Sequence, residues 1–194
     1  MKNQEFSHST KNSSNEANGL WVGNRIPCRY FETSGIGESD LAIHAGSYHL
    51  ALQNAGIGNY NIMTYSSILP GMAEKIHQPD KMDHGAVLEA IISVSHSGKG
   101  VVSTAGIICG WLYDKGTGKK HGGIVCEHAG NYDKTELNKR LTYSLEELYL
   151  NTYAEHYILK DIGVLEESFV PEKKYGTALV ALCFTSYYYP IVNP

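Results

Sequence analysis

The chain lacks most of the features that mark out large classes of protein. No apolar run approaches the roughly 18 residues that cross a bilayer as a helix, so no membrane span is expected. Neither sign of charge dominates: 16 Lys and Arg stand against 20 Asp and Glu in 194 residues, a net charge of −4 with a pI near 6.1. That balance excludes the basic surface that nucleic acid or an anionic membrane requires. The four cysteines, Cys28, Cys109, Cys126 and Cys183, make no CxxC pair. The last three sit in the apolar runs IIC, IVC and LCF, which suits reduced, packed thiols in a cytoplasmic protein better than a disulfide framework or a zinc site. The nine histidines form no HExxH or other paired-ligand spacing, and no metal is expected. No internal repeat is present. Residues 1–18, MKNQEFSHSTKNSSNEAN, have no apolar segment of the kind a secretory signal carries. They hold too little apolar surface to offset the entropy of ordering and are expected to form a disordered tail, leaving residues 19–194 as a single domain.

What remains is a strand-rich pattern with two helical stretches. Ile26 to Phe31 predicts a first strand, and ETSGIGESD after it predicts a glycine-rich loop, since its glycines do not complete a GxGxxG fingerprint. Leu41 to Asn54 predicts a helix ending at Gly56, a natural left-handed cap. NYNIMTYSSIL predicts a strand closed by the turn at Pro70-Gly71. GAVLEAIISVS, VVSTAGIICGWL and GGIVCEH predict further strands joined as antiparallel hairpins. Leu137, Leu141, Leu145 and Leu148 then fall at helical spacing, with Asp133 and Glu136 placed for a capping box, and predict a helix to about Lys160. Glu166 to Val170 and Thr177 to Tyr187 close the pattern as strands. The class is α+β, an αββα sandwich of mainly antiparallel sheets flanked by helices.

One short stretch stands out chemically. YSSILPG puts two hydroxyls side by side at the end of a predicted strand, Ser66 and Ser67. Serine is common at turns, and spacing alone favours that ordinary reading. The surroundings point elsewhere. GIGNYNIMTYSSILP, followed by KMDHGAVLEAII, ICGWLYDKGTGKKHGGIVCEHAG and EKKYGTALVALCF, resembles the pyruvoyl-dependent arginine decarboxylases over about Cys28 to Tyr187.

The resemblance implies a proenzyme that cuts itself between Ser66 and Ser67. The Ser67 hydroxyl attacks the Ser66 carbonyl carbon, and elimination with loss of ammonia turns residue 67 into a pyruvoyl group, the covalent cofactor. Only a residue with a β-oxygen can do this, and the hydroxyl needs assistance from its surroundings. The pyruvoyl carbonyl takes an amino-acid substrate as a Schiff base and accepts the electrons released with carbon dioxide, arginine giving agmatine. By the same resemblance Glu127 returns the proton, and its position after an apolar run suits a partly buried carboxyl with a raised pKa. Asn61 matches the family's asparagine upstream of the pair. Six residues of extended chain span about 20 Å, so Asn61 acts on another subunit's site if the stretch is straight, in agreement with the family's trimers.

The sequence departs from the family at the guanidinium. Where the arginine enzymes carry an aspartate in the helix before GIGN, this chain has His49, with Glu38 and Asp40 nearby. Either one of those acids takes over, or arginine is not the preferred substrate. The expectation is a self-processing amino-acid decarboxylase, active as a homo-oligomer that is a trimer or a multiple of one. The alternatives are the same chemistry on another amino acid, or a non-catalytic relative serving as a binding or assembly subunit.

Overall fold

The computed structural model describes residues 20–80 and 83–192, so the expected N-terminal tail lies outside the described residues. The elements run in the order β1 (Ile26–Ser39), a π-helical turn (Ile43–Tyr48), α1 (His49–Asn54), β2 (Asn61–Thr64), β3 (Ile68–Pro70), β4 (Glu74–Lys75), β5 (Val87–Gly98), β6 (Ser103–Asp114), β7 (Lys120–Gly130), α2 (Lys134–Thr152), β8 (Tyr157–Phe169) and β9 (Tyr175–Tyr188). They build two sheets, one of five strands in the order β2-β5-β9-β1-β4 and one of four in the order β3-β7-β6-β8. Pairing is antiparallel except for β2 with β5 and β1 with β4. The α+β sandwich expected from the sequence is the architecture observed.

Three apolar layers hold it. Between the sheets, Tyr30, Ile91, Val180, Leu182 and Phe184 of the first meet Leu69, Ala105, Ile107 and Val125 of the second. Ala51 and Leu52 of α1 pack on the outer face of the first sheet against Phe31, Leu88, Leu179 and Cys183. On the far side, Leu137, Leu141 and Leu145 of α2 cover Ile108, Leu112 and Ile124. Strand β9 therefore has both faces covered, Val180 and Leu182 inward and Leu179 and Cys183 toward α1, which explains its unbroken apolar run. Sheet-facing side chains alternate along each strand, so one residue of slip would invert both layers.

The leucine stripe and the Asp133 cap are observed as expected, with Glu136 N–H donating to Asp133 Oδ1 at 2.9 Å. The helix ends at Thr152 rather than near Lys160. The stripe continued by helical steps would meet Thr152, Glu155 and His156, none of them apolar, and the chain turns there into β8. Gly56 has φ +73°, the left-handed cap conformation expected of it. All four cysteines are free, and only Cys183 is fully buried. Burial pushes the Cys109 and Cys183 thiols up to about 12 and Cys126 to about 11, so they are held as unreactive thiols.

The glycine-rich stretch expected as a loop is instead the second half of β1, paired with β9 from Ser34↔Val180 to Ser39↔Tyr175. Its glycines serve close packing. A Cβ on Gly35 would lie 2.2 Å from the Ala51 carbonyl oxygen, and one on Gly37 would lie 2.2 Å from that of Ser47 and 2.4 Å from Ala51 N. Helix backbone rests directly on strand backbone there. Gly37→Ala is expected to lower stability by about 1–3 kcal/mol through overpacking, read as an earlier denaturant midpoint; an unchanged midpoint would show that the helix can lift off without cost.

Candidate active site

The stretch expected as one strand, NYNIMTYSSIL, is two strands in different sheets. β2 runs parallel to β5 from Asn61↔Val87 to Thr64↔Ala90, and Tyr65 N–H still donates to Ala90 O at 2.9 Å. Three residues later the chain is in the other sheet, with Ile68 opposite Ile124 of β7. Ser66 and Ser67 are the step between them.

The step has a defined shape. Ile68 N–H donates to the Ser66 carbonyl oxygen at 2.9 Å, a tight turn centred on Ser67, and Val125 N–H donates to the Ser67 carbonyl at 3.0 Å. The Ser67 hydroxyl is aimed at the Glu127 carboxylate, 2.7 Å from Oε1 and 2.9 Å from Oε2. Glu127 stands on β7 opposite Ile107 and is half-buried. Burial pushes its pKa above the ordinary glutamate value, and the hydrogen bond from Ser67 pulls the other way. This puts a nucleophile, a proton acceptor with a raised pKa and a donor on the adjacent carbonyl oxygen into three neighbouring groups. The neighbouring His128 is turned elsewhere: its Nε2 lies 2.8 Å from Ser144 Oγ on α2, and its carbonyl accepts from Ser93 Oγ at 2.8 Å. Those bonds fix β7 to α2 and β5, and so fix Glu127.

Of the residues singled out in the sequence, Ser66, Ser67 and Glu127 are brought together. Asn61 is not in that group. It opens β2, and its side-chain amide donates to Gly85 O at 2.8 Å. His49 begins α1 and is exposed, 3.5 Å from Gln53 Nε2. Glu38 Oε2 accepts from the backbone N–H groups of Glu172 at 2.8 Å and Lys173 at 3.3 Å, and Asp40 Oδ1 accepts from Lys174 N–H at 3.1 Å. Both acids therefore tie down the loop before β9. Glu38 also lines a cavity of about 460 Å³ with Leu50 and Asn54 of α1.

A cavity of about 760 Å³ opens between the sheets among Tyr30, Trp111, Lys120 and Asp161, and neither serine nor Glu127 lines it. Among its charged groups Lys75 pairs with Glu32, and Asp161 accepts from the Tyr113 hydroxyl at 2.7 Å. Next to the serine pair, sequence reading passed over Tyr65 and Glu89. The Tyr65 hydroxyl donates to Glu89 Oε2 at 2.6 Å, and Glu89 is 2% exposed. The signal was present, a lone acid within the apolar run AVLEAII.

The profile described as pyruvoyl-dependent arginine decarboxylase matches residues 29–188, and the chain belongs to that family. Among its relatives, the pyruvoyl-dependent arginine decarboxylase AaxB of Chlamydia caviae is 31% identical over 186 residues, covering 85% of this chain and 94% of that protein. The AaxB of Chlamydia trachomatis serovar L2 is 31% identical over 196 residues with the same coverage. The pyruvoyl-dependent arginine decarboxylase of Methanopyrus kandleri is 35% identical over 116 residues, 60% of this chain and 69% of that protein.

Proposed function

We propose that the chain cuts itself between Ser66 and Ser67 and, in the two-piece form, decarboxylates arginine to agmatine. The observation that carries this reading is the Ser67 hydroxyl donating to both oxygens of Glu127 while Ile68 N–H holds the Ser66 carbonyl. The geometry fits the formation of the family's pyruvoyl cofactor from Ser67. Oγ attacks the Ser66 carbonyl carbon and passes its proton to Glu127. Charge developing on the Ser66 oxygen is met by the Ile68 N–H. The amide nitrogen of residue 67 leaves with a proton, so an ester replaces the peptide bond. Loss of the Cα proton of residue 67 then expels Ser66 as a carboxylate, and one water replaces one ammonia at Cα. The pyruvoyl group supplies a carbonyl that binds an amino group and takes up the electron pair left when carbon dioxide departs. Glu127, beside residue 67, holds the proton to be returned to the substrate's α-carbon.

Asn61 enters through a second copy of the chain, with a trimer as the assembly. In its own subunit its amide is spent on Gly85 and all of β2 separates it from Ser67. β2 is an edge strand, and Met63, Ile68 and Val87 around it are more than half exposed, an apolar surface that another subunit would cover. Free thiols throughout suit the cytoplasm, and among the described residues no helix is long and apolar enough to cross a membrane.

For the guanidinium, Glu38 is favoured over Asp40, because it lines a cavity against α1. A carboxylate facing a guanidinium supplies the paired acceptors that His49 cannot.

Purified protein is expected to resolve by intact mass into residues 1–66 and residues 67–194, the latter with a carbonyl-blocked N-terminus, whereas Ser67→Ala stays one chain. Light scattering on the same sample is expected to give a trimer or a multiple of it. A wild-type chain that remains whole under all conditions overturns the reading.

Cutting and turnover are expected to respond to pH in opposite directions. Cutting needs Glu127 ionised to accept the Ser67 proton, so its rate rises as pH climbs through the raised pKa. Turnover needs Glu127 protonated, so it falls as pH climbs through the pKa the carboxyl has after the cut, which is higher once the Ser67 hydroxyl is gone. Glu127→Gln should lower turnover about 10²- to 10⁴-fold and slow cutting as well. Both activities unchanged in Glu127→Gln would remove the residue from the chemistry.

Carbon dioxide release from a panel of amino acids should show arginine preferred, with Glu38→Gln reducing arginine turnover on the order of 10²- to 10³-fold. A preference for an uncharged or acidic amino acid, turned toward arginine by His49→Asp, would instead establish the same chemistry on another substrate.

A further inference from the structure

The peptide to be cut is fixed at both ends, and the two fixings have the same chemistry. Downstream, Ser67 is tied to the four-stranded sheet by its carbonyl on Val125 N–H and its hydroxyl on Glu127. Upstream, Tyr65 is tied to the five-stranded sheet by its N–H on Ala90 O and its hydroxyl on Glu89, at 2.9 and 2.6 Å. Ser66 alone lies between, and it is exposed. Glu89 is an expensive residue to place there. It is 2% exposed on a strand whose neighbours Leu88, Ala90 and Ile91 are buried and apolar, and a buried carboxylate without a partner costs far more than an alkyl side chain. Its charge is met by Arg25, which forms an ion pair with Oε1 and leaves Oε2 for the tyrosine. Arg25 is positioned in turn by the ring of Tyr187, with the guanidinium 5.3 Å from its centroid.

We propose that Tyr65, held by the Glu89–Arg25 pair, is a positioning residue for self-cleavage: it fixes the upstream end of the Ser66–Ser67 peptide so that the Ser66 carbonyl carbon stays within reach of Ser67 Oγ. This rests on the self-cleavage proposed above. Intramolecular attack gains its rate from holding the two reacting atoms in one geometry. A peptide anchored only on its downstream side has the Ser66 carbonyl held by the single Ile68 N–H, on the exposed side of the turn. Anchored at 65 as well, it has one residue of slack. The decarboxylation step makes no demand on this anchor, because by then the bond between 66 and 67 is gone. The Tyr65 ring has a separate role in packing, tilted on Phe184 with centroids 5.4 Å apart, and this allows the two roles to be separated.

Tyr65→Phe keeps the ring on Phe184 and leaves the Arg25–Glu89 ion pair in place, removing the hydroxyl's hydrogen bond to Glu89 together with its contacts to Arg25 and Tyr187. Freshly purified or newly synthesised chain, followed over time by gel and intact mass, is expected to cut about tenfold more slowly than wild type, the equivalent of one hydrogen bond to a charged acceptor. Its melting temperature before cutting, measured in a Ser67→Ala background, should lie close to that of Ser67→Ala alone. Glu89→Gln is expected to slow cutting too, and the double variant to be no slower than the slower single one, because both changes break the same contact. Tyr65→Phe cutting at the wild-type rate, or the two effects multiplying, overturns the proposal and leaves self-cleavage standing. A wild-type chain that never cuts removes self-cleavage and this positioning role together.

Discussion

The chain has to pass from one sheet to the other between Tyr65 and Ile68, and the rest of the site follows from that crossing. A residue within a ladder has its N–H and C=O committed to a neighbouring strand. A residue that leaves one sheet before joining the next does not. Ser66 is such a residue, and its carbonyl takes its hydrogen bond from Ile68 two residues on, in a turn that brings the Ser67 hydroxyl round to β7. The packing between the sheets, with Leu69 and Val125 on one side and Ile91 and Phe184 on the other, sets the gap the crossing has to span. The core therefore determines the geometry at the serine pair.

Much of this was legible in the sequence wherever periodicity decides. The leucine stripe of α2, its Asp133 cap, the left-handed Gly56 and the doubly covered β9 follow from local pattern, and the structure has them. The serines and Glu127 were legible only through the family, since two adjacent serines before a proline fit an ordinary turn. Other features depend on partners distant in sequence. ETSGIGES has the composition of a loop, and only the helix resting on Gly35 and Gly37 explains why a strand needs them bare. NYNIMTYSSIL has the composition of one strand because β-propensity says nothing about which sheet a residue joins. Glu38 and Asp40 read as free acids near a binding position, yet both hold the backbone of residues 172–174, more than 130 residues away in the chain.

Glu127 illustrates how one environment can serve two opposing demands. Burial favours its protonated form and the Ser67 hydroxyl favours its ionised form, so the two influences partly offset each other while the serine is intact. Converting Ser67 to a residue without a hydroxyl would remove the second influence and leave the first. In the proposed scheme the carboxyl is thus a better proton acceptor before the cut and a better proton holder after it, with no movement of β7. A single glutamate changes its chemistry because its neighbour does.

The strand order of the five-stranded sheet has a consequence for the history of the molecule. A cut after Ser66 leaves β1 and β2 on one polypeptide and β4, β5 and β9 on the other, yet in space they interleave, β2 and β1 flanking the pair β5-β9 and β4 lying outside β1. The piece from residue 67 onward keeps the whole four-stranded sheet, but neither piece holds the five-stranded one, so neither is the complete domain. While the chain is continuous, β1 finds β9 as an intramolecular partner at the modest entropic cost of closing one loop. Once it is cut, the same pairing is an encounter between two molecules and depends on their concentration. In the proposed scheme assembly of the sheet therefore precedes the cut, and the two-piece form would preserve an arrangement reached as one chain. Unfolding that form would lose more than stability, because the connection that first brought the strands together would be gone.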